Sequence, residues 1–150
     1  MTQLFLFSPP ALEGWHLLYT DGAARGNPGP AAIACVLKDP KGQTIASHAA
    51  PIGSTTNNFA EYLALIAGLK LARQHGVDRL RVLMDSELLV RQLTGAYRVR
   101  NPRLLPLYEE ASRLLGDFEA VEIRHIPRSE NAEADALANL VLDQAAEAQT

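Results

Sequence analysis

The chain has 150 residues, of which 47% are apolar and 21% charged, as is ordinary for one soluble globular domain. A single cysteine, Cys35, excludes an internal disulfide framework and fits a reducing cytoplasm, and no apolar stretch approaches the ~20 residues that a membrane span requires. The net charge of −3 argues mildly against a protein that coats nucleic acid, although a local basic excess lies within residues 97–103.

The predicted elements follow from hydrophobic periodicity and from the positions of glycine and proline. The first 14 residues carry no basic residue ahead of their short apolar patch, so we interpret them as an N-terminal extension rather than a signal peptide. One domain is predicted over residues 15–146. Its elements are strands at 15–20, 31–37 and 43–50, a helix at 58–75, a strand at 80–84, a short helix ending near residue 93, a helix at 103–115, a strand at 121–126 and a helix at 131–146.

This pattern predicts an α/β fold with a mixed sheet. Residues 22–30 form a turn-rich crossing and residues 39–42 a tight turn, so the first three strands should make an antiparallel meander. The strand at 80–84 is short and continuously apolar, which is typical of a central parallel strand. We therefore expect a mixed five-stranded sheet flanked by helices.

Four acidic residues lie in largely apolar surroundings, where an unpaired carboxylate is costly to bury. Asp21 follows the first predicted strand, Asp85 follows the strand at 80–84, and Glu61 and Asp135 lie in the first turns of two helices. Neighbouring parallel strands end at one crevice and helix N-termini favour negative charge, so we expect the four acids to meet. Oxygen ligands suit Mg²⁺ or Mn²⁺, which would neutralise such a cluster. The alternative is four separate capping or salt-bridging acids.

Four fragments surround these acids and occur in a fixed order. They are residues 20–30 (TDGAARGNPGP), residues 55–61 (TTNNFAE), Asp85-Ser86, and residues 125–128 (HIPR) followed by Asn131 and Asp135. Together, from about Trp15 to about Val141, they resemble type 1 ribonuclease H, within the ribonuclease H-like superfamily. The resemblance implies the sheet order 3-2-1-4-5, which periodicity alone does not supply.

The resemblance also implies an activity, namely hydrolysis of the RNA strand of RNA/DNA hybrids to 5′-phosphate and 3′-hydroxyl products. Four carboxylates could hold two Mg²⁺ ions, with Mn²⁺ as a substitute, one ion activating water and the other stabilising the leaving oxygen. We expect a cytoplasmic monomer with no membrane partner.

Substrate contacts are predicted around the same fragments, because the 2′-hydroxyl is what distinguishes RNA from DNA. Backbone groups from Gly22 through Ala23 to Arg25, with the amides of Asn57 and Asn58, are suited to bind 2′-hydroxyls. The resemblance implies further substrate contacts at Asn27, Asn57, Asn58 and Ser86, and a phosphate pocket for the DNA strand at Thr56. Asn131 is predicted as a substrate contact and as the cap of the last helix. The alternative for Thr56 and Asn57 is helix capping, which one of them could combine with binding.

Two departures from the family leave alternatives open. The lysine- and tryptophan-rich basic protrusion of many members shrinks here to residues 95–103, so hybrid binding would rest on Arg98, Arg100 and Arg103. We then expect weaker binding or a higher Mg²⁺ requirement, unless these arginines belong to a solvated loop. The shortened segment also leaves open cleavage of RNA/RNA duplexes, or a protein that binds hybrids or double-stranded RNA with broad or absent cleavage.

The second departure concerns a loop histidine that assists turnover in much of the family. His125 has the usual spacing before Asp135 but lies at a predicted strand end, not in a glycine-rich loop. Arg128 follows Pro127 on the adjoining loop. We favour Arg128 for the phosphate-facing role and keep His125 as the alternative.

Overall fold

The strands and helices follow one another in the order that the hydrophobic pattern predicts. The computed structural model describes residues 14–148, so the predicted N-terminal extension lies outside the described residues apart from Gly14. The elements are β1 His16–Ala24, β2 Gly29–Lys38, β3 Thr44–Thr55, α1 Asn57–Gln74, β4 Arg79–Met84, α2 Glu87–Leu93, α3 Leu105–Leu115, β5 Ala120–His125 and α4 Ala132–Ala148. Within the described part of the chain, no helix is long and apolar enough to cross a membrane.

The five strands form one sheet in the order β3-β2-β1-β4-β5, which confirms the predicted topology. β1, β2 and β3 pair antiparallel, whereas β1, β4 and β5 run parallel. The last paired residues of β1 and β4 are Thr20 and Met84. Asp21 and Asp85 are therefore the next residues on two neighbouring parallel strands, where the strands begin to separate.

The meander is more extended than predicted. The sequence pattern predicts a turn at residues 22–24, but β1 continues through Ala24, which pairs with Ala31 of β2. β3 likewise continues to Thr55, past the predicted end at residue 50. Pro51 is tolerated because β3 is the edge strand of the sheet, where a missing backbone donor faces no further strand.

Helices cover both faces of the sheet. α1 and α3 pack on one face around a large apolar core that includes Leu18, Leu69 and Val82. α4 packs on the other face against the small side chains of β2, among them Ala32 and Ala34. Because these side chains are small, α4 can pack close to the backbone of β2.

Gly22 sets how closely α1 approaches β1. A Cβ atom at this position would lie 2.3 Å from the carbonyl carbon of Ala60 and 2.4 Å from the backbone nitrogen of Glu61. Real Cβ atoms do not tolerate such distances, so only glycine permits this contact. The close approach brings Glu61 to the strand that carries Asp21.

Two predicted helix starts differ in the structure. α3 begins at Leu105 rather than at residue 103, after a turn in which the Arg103 N–H donates to Asn101 Oδ1 at 2.9 Å. Asn131 does not begin α4 but closes a 3₁₀ turn over Arg128–Asn131. Cys35 is buried in β2 with 1% of its surface exposed, and burial raises the pKa of its thiol to about 11, which is unsuited to a nucleophile.

Candidate active site

Three of the four predicted acids converge at the carboxyl end of β4. Asp21, Glu61 and Asp85 each place a carboxylate oxygen within 4.8 Å of the other two. Asp21 lies within β1, Asp85 directly after β4, and Glu61 one turn into α1. Three elements far apart in the sequence therefore supply one cluster of oxygen ligands.

Burial makes this cluster electrostatically unfavourable without a cation. Asp21 is 5% exposed and Glu61 8% exposed. Burial, followed by the charges of Asp85 and Asp135, raises the pKa of Asp21 from 3.8 to about 8. Burial and the charge of Asp21 raise the pKa of Glu61 well above 4.5. Bound divalent cations would favour the ionised forms, so the donor set fits such ions.

Asp135 lies beside the cluster rather than within it. It belongs to the first turn of α4, and its charge is one of the causes that raise the Asp21 pKa. Its Oδ1 lies 3.4 Å from Nη2 of Arg128, whose guanidinium is largely exposed. The Arg128 charge lowers the pKa of Asp21, in opposition to Asp85 and Asp135.

Hydrogen bonds fix two of the carboxylates. The backbone N–H of Gly22 donates to Glu61 Oε1 in a short bond. Asn131 Nδ2 donates to the Thr20 carbonyl at 2.9 Å and lies 3.3 Å from Asp85 Oδ2. Asp85 and Glu61 are therefore held by groups that are themselves anchored in the sheet.

These bonds involve two groups that were predicted to contact the substrate. Asn131 is 1% exposed, and its Nδ2 positions Asp85. Its side chain also does not cap α4, because Oδ1, the atom that would accept a cap bond, has no hydrogen-bond partner within residues 14–148. Gly22 begins the backbone stretch predicted to bind the substrate, and its N–H donates to Glu61 while the residue lines the cleft.

The acids open into a cleft of about 470 Å³. Most of the predicted substrate contacts from the first two fragments, together with Ser86 and Arg128, border the same space. Its lining residues are Asp21, Gly22, Ala23, Ala24, Arg25, Asn57, Asn58, Glu61, Asp85, Ser86, Arg128, Asp135 and Asn139.

The chain is similar to known proteins over nearly its whole length. Residues 19–141 match the reverse transcriptase-like family. A ribonuclease HI of Halobacterium salinarum is 47% identical over 127 residues, which are 85% of this chain and 64% of that protein. The crystal structure of RNase H1 from the same archaeon superposes with a TM-score of 0.85 at 45% identity, covering 87% of this chain and 98% of that one. The chain belongs to the type 1 ribonuclease H family.

Two further members of the ribonuclease H family are similarly close. LC11-RNase H1, solved in complex with an RNA/DNA hybrid, is 44% identical with a TM-score of 0.83, covering 87% of this chain and 98% of that one. The N-terminal RNase H domain of a Mycobacterium tuberculosis protein is 40% identical with a TM-score of 0.87, covering 91% of this chain and 99% of that one. Its bifunctional full-length protein is matched over only 36% of its length, so this chain spans less than two thirds of these curated relatives.

Residues 20–30 and residues 55–61, two of the fragments that resemble the family, are joined by hydrogen bonds. Asn57 Oδ1 accepts from the Ala24 N–H at 2.9 Å, and the Asn57 N–H donates to Asn27 Oδ1 at 3.1 Å. Thr56 caps α1 by accepting from the Phe59 N–H at 3.3 Å. A hydroxyl keeps one proton to donate, so capping leaves Thr56 able to bind a phosphate. Asn27 and Thr56 are not among the residues that line the cleft.

Other predicted residues lie outside the cleft. His125 is the exposed last residue of β5 and, unlike Arg128, does not line the cleft. Arg98, Arg100 and Arg103 are exposed in the connection between α2 and α3, and none forms an ion pair within residues 14–148.

Asn139 is a cleft residue that the sequence interpretation missed. It lies one helical turn after Asp135, and its Nδ2 donates to the Asp135 carbonyl at 3.0 Å and lies 3.4 Å from Asp135 Oδ1. The signal was a polar residue four positions after the acid in an alanine- and leucine-rich helix, since such positions share a helix face.

Proposed function

We propose that this protein is a metal-dependent endonuclease that hydrolyses the RNA strand of RNA/DNA hybrids, leaving 5′-phosphate and 3′-hydroxyl ends. The observation that carries the proposal is the convergence of Asp21, Glu61 and Asp85, buried or half-buried, with no salt bridge to a basic side chain among the described residues. The hybrid bound to LC11-RNase H1, a 44% identical relative, supports the substrate class.

Asp21, Glu61, Asp85 and Asp135 would hold two Mg²⁺ ions, or Mn²⁺ in their place. When bound, such ions supply a water nucleophile at neutral pH and stabilise charge on the leaving oxygen. Other residues of the chain would position the carboxylates that hold the ions. Gly22 and Asn131 orient two of the carboxylates, which reduces the reorganisation needed during reaction.

Selection of the RNA strand would depend on residues 20–30 and residues 55–61, which are hydrogen-bonded to each other. Asn58, Ser86 and the backbone of Ala23 border the space next to the acids, where 2′-hydroxyls of the RNA strand would lie. Thr56 would bind a phosphate of the DNA strand with its remaining hydroxyl proton. Arg128, which lines the same cleft, would face the scissile phosphate.

The test is cleavage of labelled RNA/DNA, RNA/RNA and DNA/DNA duplexes in Mg²⁺, Mn²⁺ or EDTA. We expect RNA-strand cleavage of the hybrid in either metal and none in EDTA. Asp21→Asn and Asp85→Asn should abolish cleavage with the fold intact by circular dichroism, because an amide cannot supply the negative charge that the cations need. Full activity of either variant in millimolar Mg²⁺ would contradict the assignment, and comparable cleavage of RNA/RNA would establish the broader specificity.

A further inference from the structure

Arg25 is held by α4 although it lines the cleft. Its Nη2 donates to Asp143 Oδ1 at 2.6 Å and lies 3.4 Å from both the carbonyl oxygen and Oδ1 of Asn139. Asp143 lies two turns after Asp135 and does not line the cleft. An acid outside the cleft therefore binds a basic group at its edge.

This ion pair is exposed to solvent, so another anion can replace Asp143 on Arg25. The side chains of Arg25 and Asp143 are 42% and 60% exposed, so solvent and salt screen their attraction. A phosphate accepts the same guanidinium N–H groups, and arginine suits that acceptor well. The backbone beside Arg25 is fixed, because the Ala24 N–H is bonded to Asn57. Only the Arg25 side chain needs to move for the exchange.

We propose that Asp143 restrains Arg25 and thereby weakens binding of nucleic acid, and that a backbone phosphate of the substrate replaces Asp143 on Arg25. The inference rests on the proposed function, since the ligand is the RNA/DNA hybrid. Asp143 then sets substrate affinity without touching substrate, metal or the four acids. Removal of its charge should lower the dissociation constant and KM while kcat stays unchanged.

The test is fluorescence anisotropy with a labelled RNA/DNA hybrid in EDTA, which measures binding without turnover. Asp143→Asn should bind up to about fivefold more tightly at about 50 mM salt, with a smaller gain at about 200 mM. The matched control is Glu119→Gln, which removes the exposed partner of Arg79, 3.7 Å away at the opposite end of the sheet. It changes the net charge equally and should leave affinity nearly unchanged.

A double-variant cycle separates the Arg25 route from simple charge repulsion. In an Arg25→Ala background, Asp143→Asn should give no gain beyond that of Glu119→Gln. An equal gain with and without Arg25 would overturn the inference, as would an Asp143→Asn affinity equal to that of Glu119→Gln. Asp143→Ser is the second variant if the asparagine lowers the thermal midpoint.

Cleavage kinetics complete the test. A lower KM with unchanged kcat in Asp143→Asn supports the restraint, whereas a lower kcat would assign Asp143 to the positioning of Asp135 and contradict it. If the wild-type protein binds hybrids without cutting them, the proposed function is refuted. The double-variant binding experiment then still tests whether Asp143 restrains Arg25. A wild-type protein that does not bind hybrids refutes both.

Discussion

At the scale of single residues, the buried charges of this protein fall into two kinds. Arg81 and Glu122 are buried together, with a 2.9 Å bond between guanidinium and carboxylate, and Arg124 binds the second Glu122 oxygen at 2.6 Å. Asp21 and Glu61 are buried as well, but their charged neighbours are mainly other acids. Like charges kept together without an ion pair to a base indicate a binding function, because a purely structural role would favour pairing.

The residue-scale prediction separates Arg128 from His125. Arg128 lines the cleft beside Asp135, so Arg128→Ala should reduce kcat by about tenfold or more with a modest effect on KM. His125 is exposed at the end of β5, and His125→Ala should cost less. Steady-state kinetics on a hybrid substrate check both variants, and Arg128→Lys should restore part of the lost rate. The preference for Arg128 is wrong if His125→Ala damages kcat more at unchanged thermal stability.

At the scale of elements, the connection between α2 and α3 carries the three arginines that are predicted to bind the substrate. It replaces the basic protrusion of many family members with a short exposed segment. Tyr97 within it is 49% exposed, and the Arg91 guanidinium lies 5.3 Å from the centre of its ring. The arginines that follow have no acid partner in the described part of the chain, so their charge is available to phosphates.

The element-scale prediction concerns these free charges. Replacement of Arg98, Arg100 and Arg103 by alanine should raise KM and flatten the salt dependence of hybrid binding by roughly 0.7–0.9 log unit per lost phosphate contact. The rate at saturating substrate should change little. Binding isotherms over a salt series measure the slope.

The matched control removes three arginines that are paired with acids elsewhere. Arg73, Arg79 and Arg113 contact Asp78, Glu119 and Glu110, so their replacement removes the same total charge. If both triple variants have the wild-type salt slope, the α2–α3 connection is ordinary solvated surface.

At the scale of the whole molecule, the buried acids of the site lower the stability of the metal-free folded state. In the unfolded chain Asp21 titrates near 3.8, but in the folded protein its pKa is about 8. The folded state therefore binds more protons between those pH values, and stability falls as pH rises through that window. Cations that neutralise the cluster should reverse the loss, because they bind the folded state only.

The whole-molecule prediction follows from this fall in stability with rising pH. In EDTA, the free energy of unfolding of Asp21→Asn relative to wild type should increase from about pH 4 to about pH 8, because the amide does not ionise. Millimolar Mg²⁺ at pH 8 should raise the wild-type thermal midpoint more than that of the variant. Urea unfolding at several pH values measures the difference, and a difference independent of pH would contradict the assigned burial of the Asp21 charge.

The sequence by itself determined the element order, the family and the positions of the four acids. Hydrophobic periodicity reports which face of an element is buried, and it predicted β4 as a central strand. The neighbouring positions of β1 and β4 came from the resemblance to the family, and the structure has Asp21 and Asp85 directly after the last β1–β4 pair. The elements themselves could be predicted because their signals are local in the sequence.

Only the tertiary structure decided how the site is supported. The bonds from Gly22 to Glu61, from Asn131 to Asp85 and from Arg25 to Asp143 join residues 39, 46 and 118 positions apart. No local pattern encodes such contacts, because they depend on the distance at which α1 and α4 pack on the sheet. That distance is set by the missing side chain of Gly22 on one face and by small residues such as Ala34 and Ala138 on the other. For the same reason Asn131, which resembles a cap and a substrate ligand in the sequence, is a buried support for Asp85 in the folded protein.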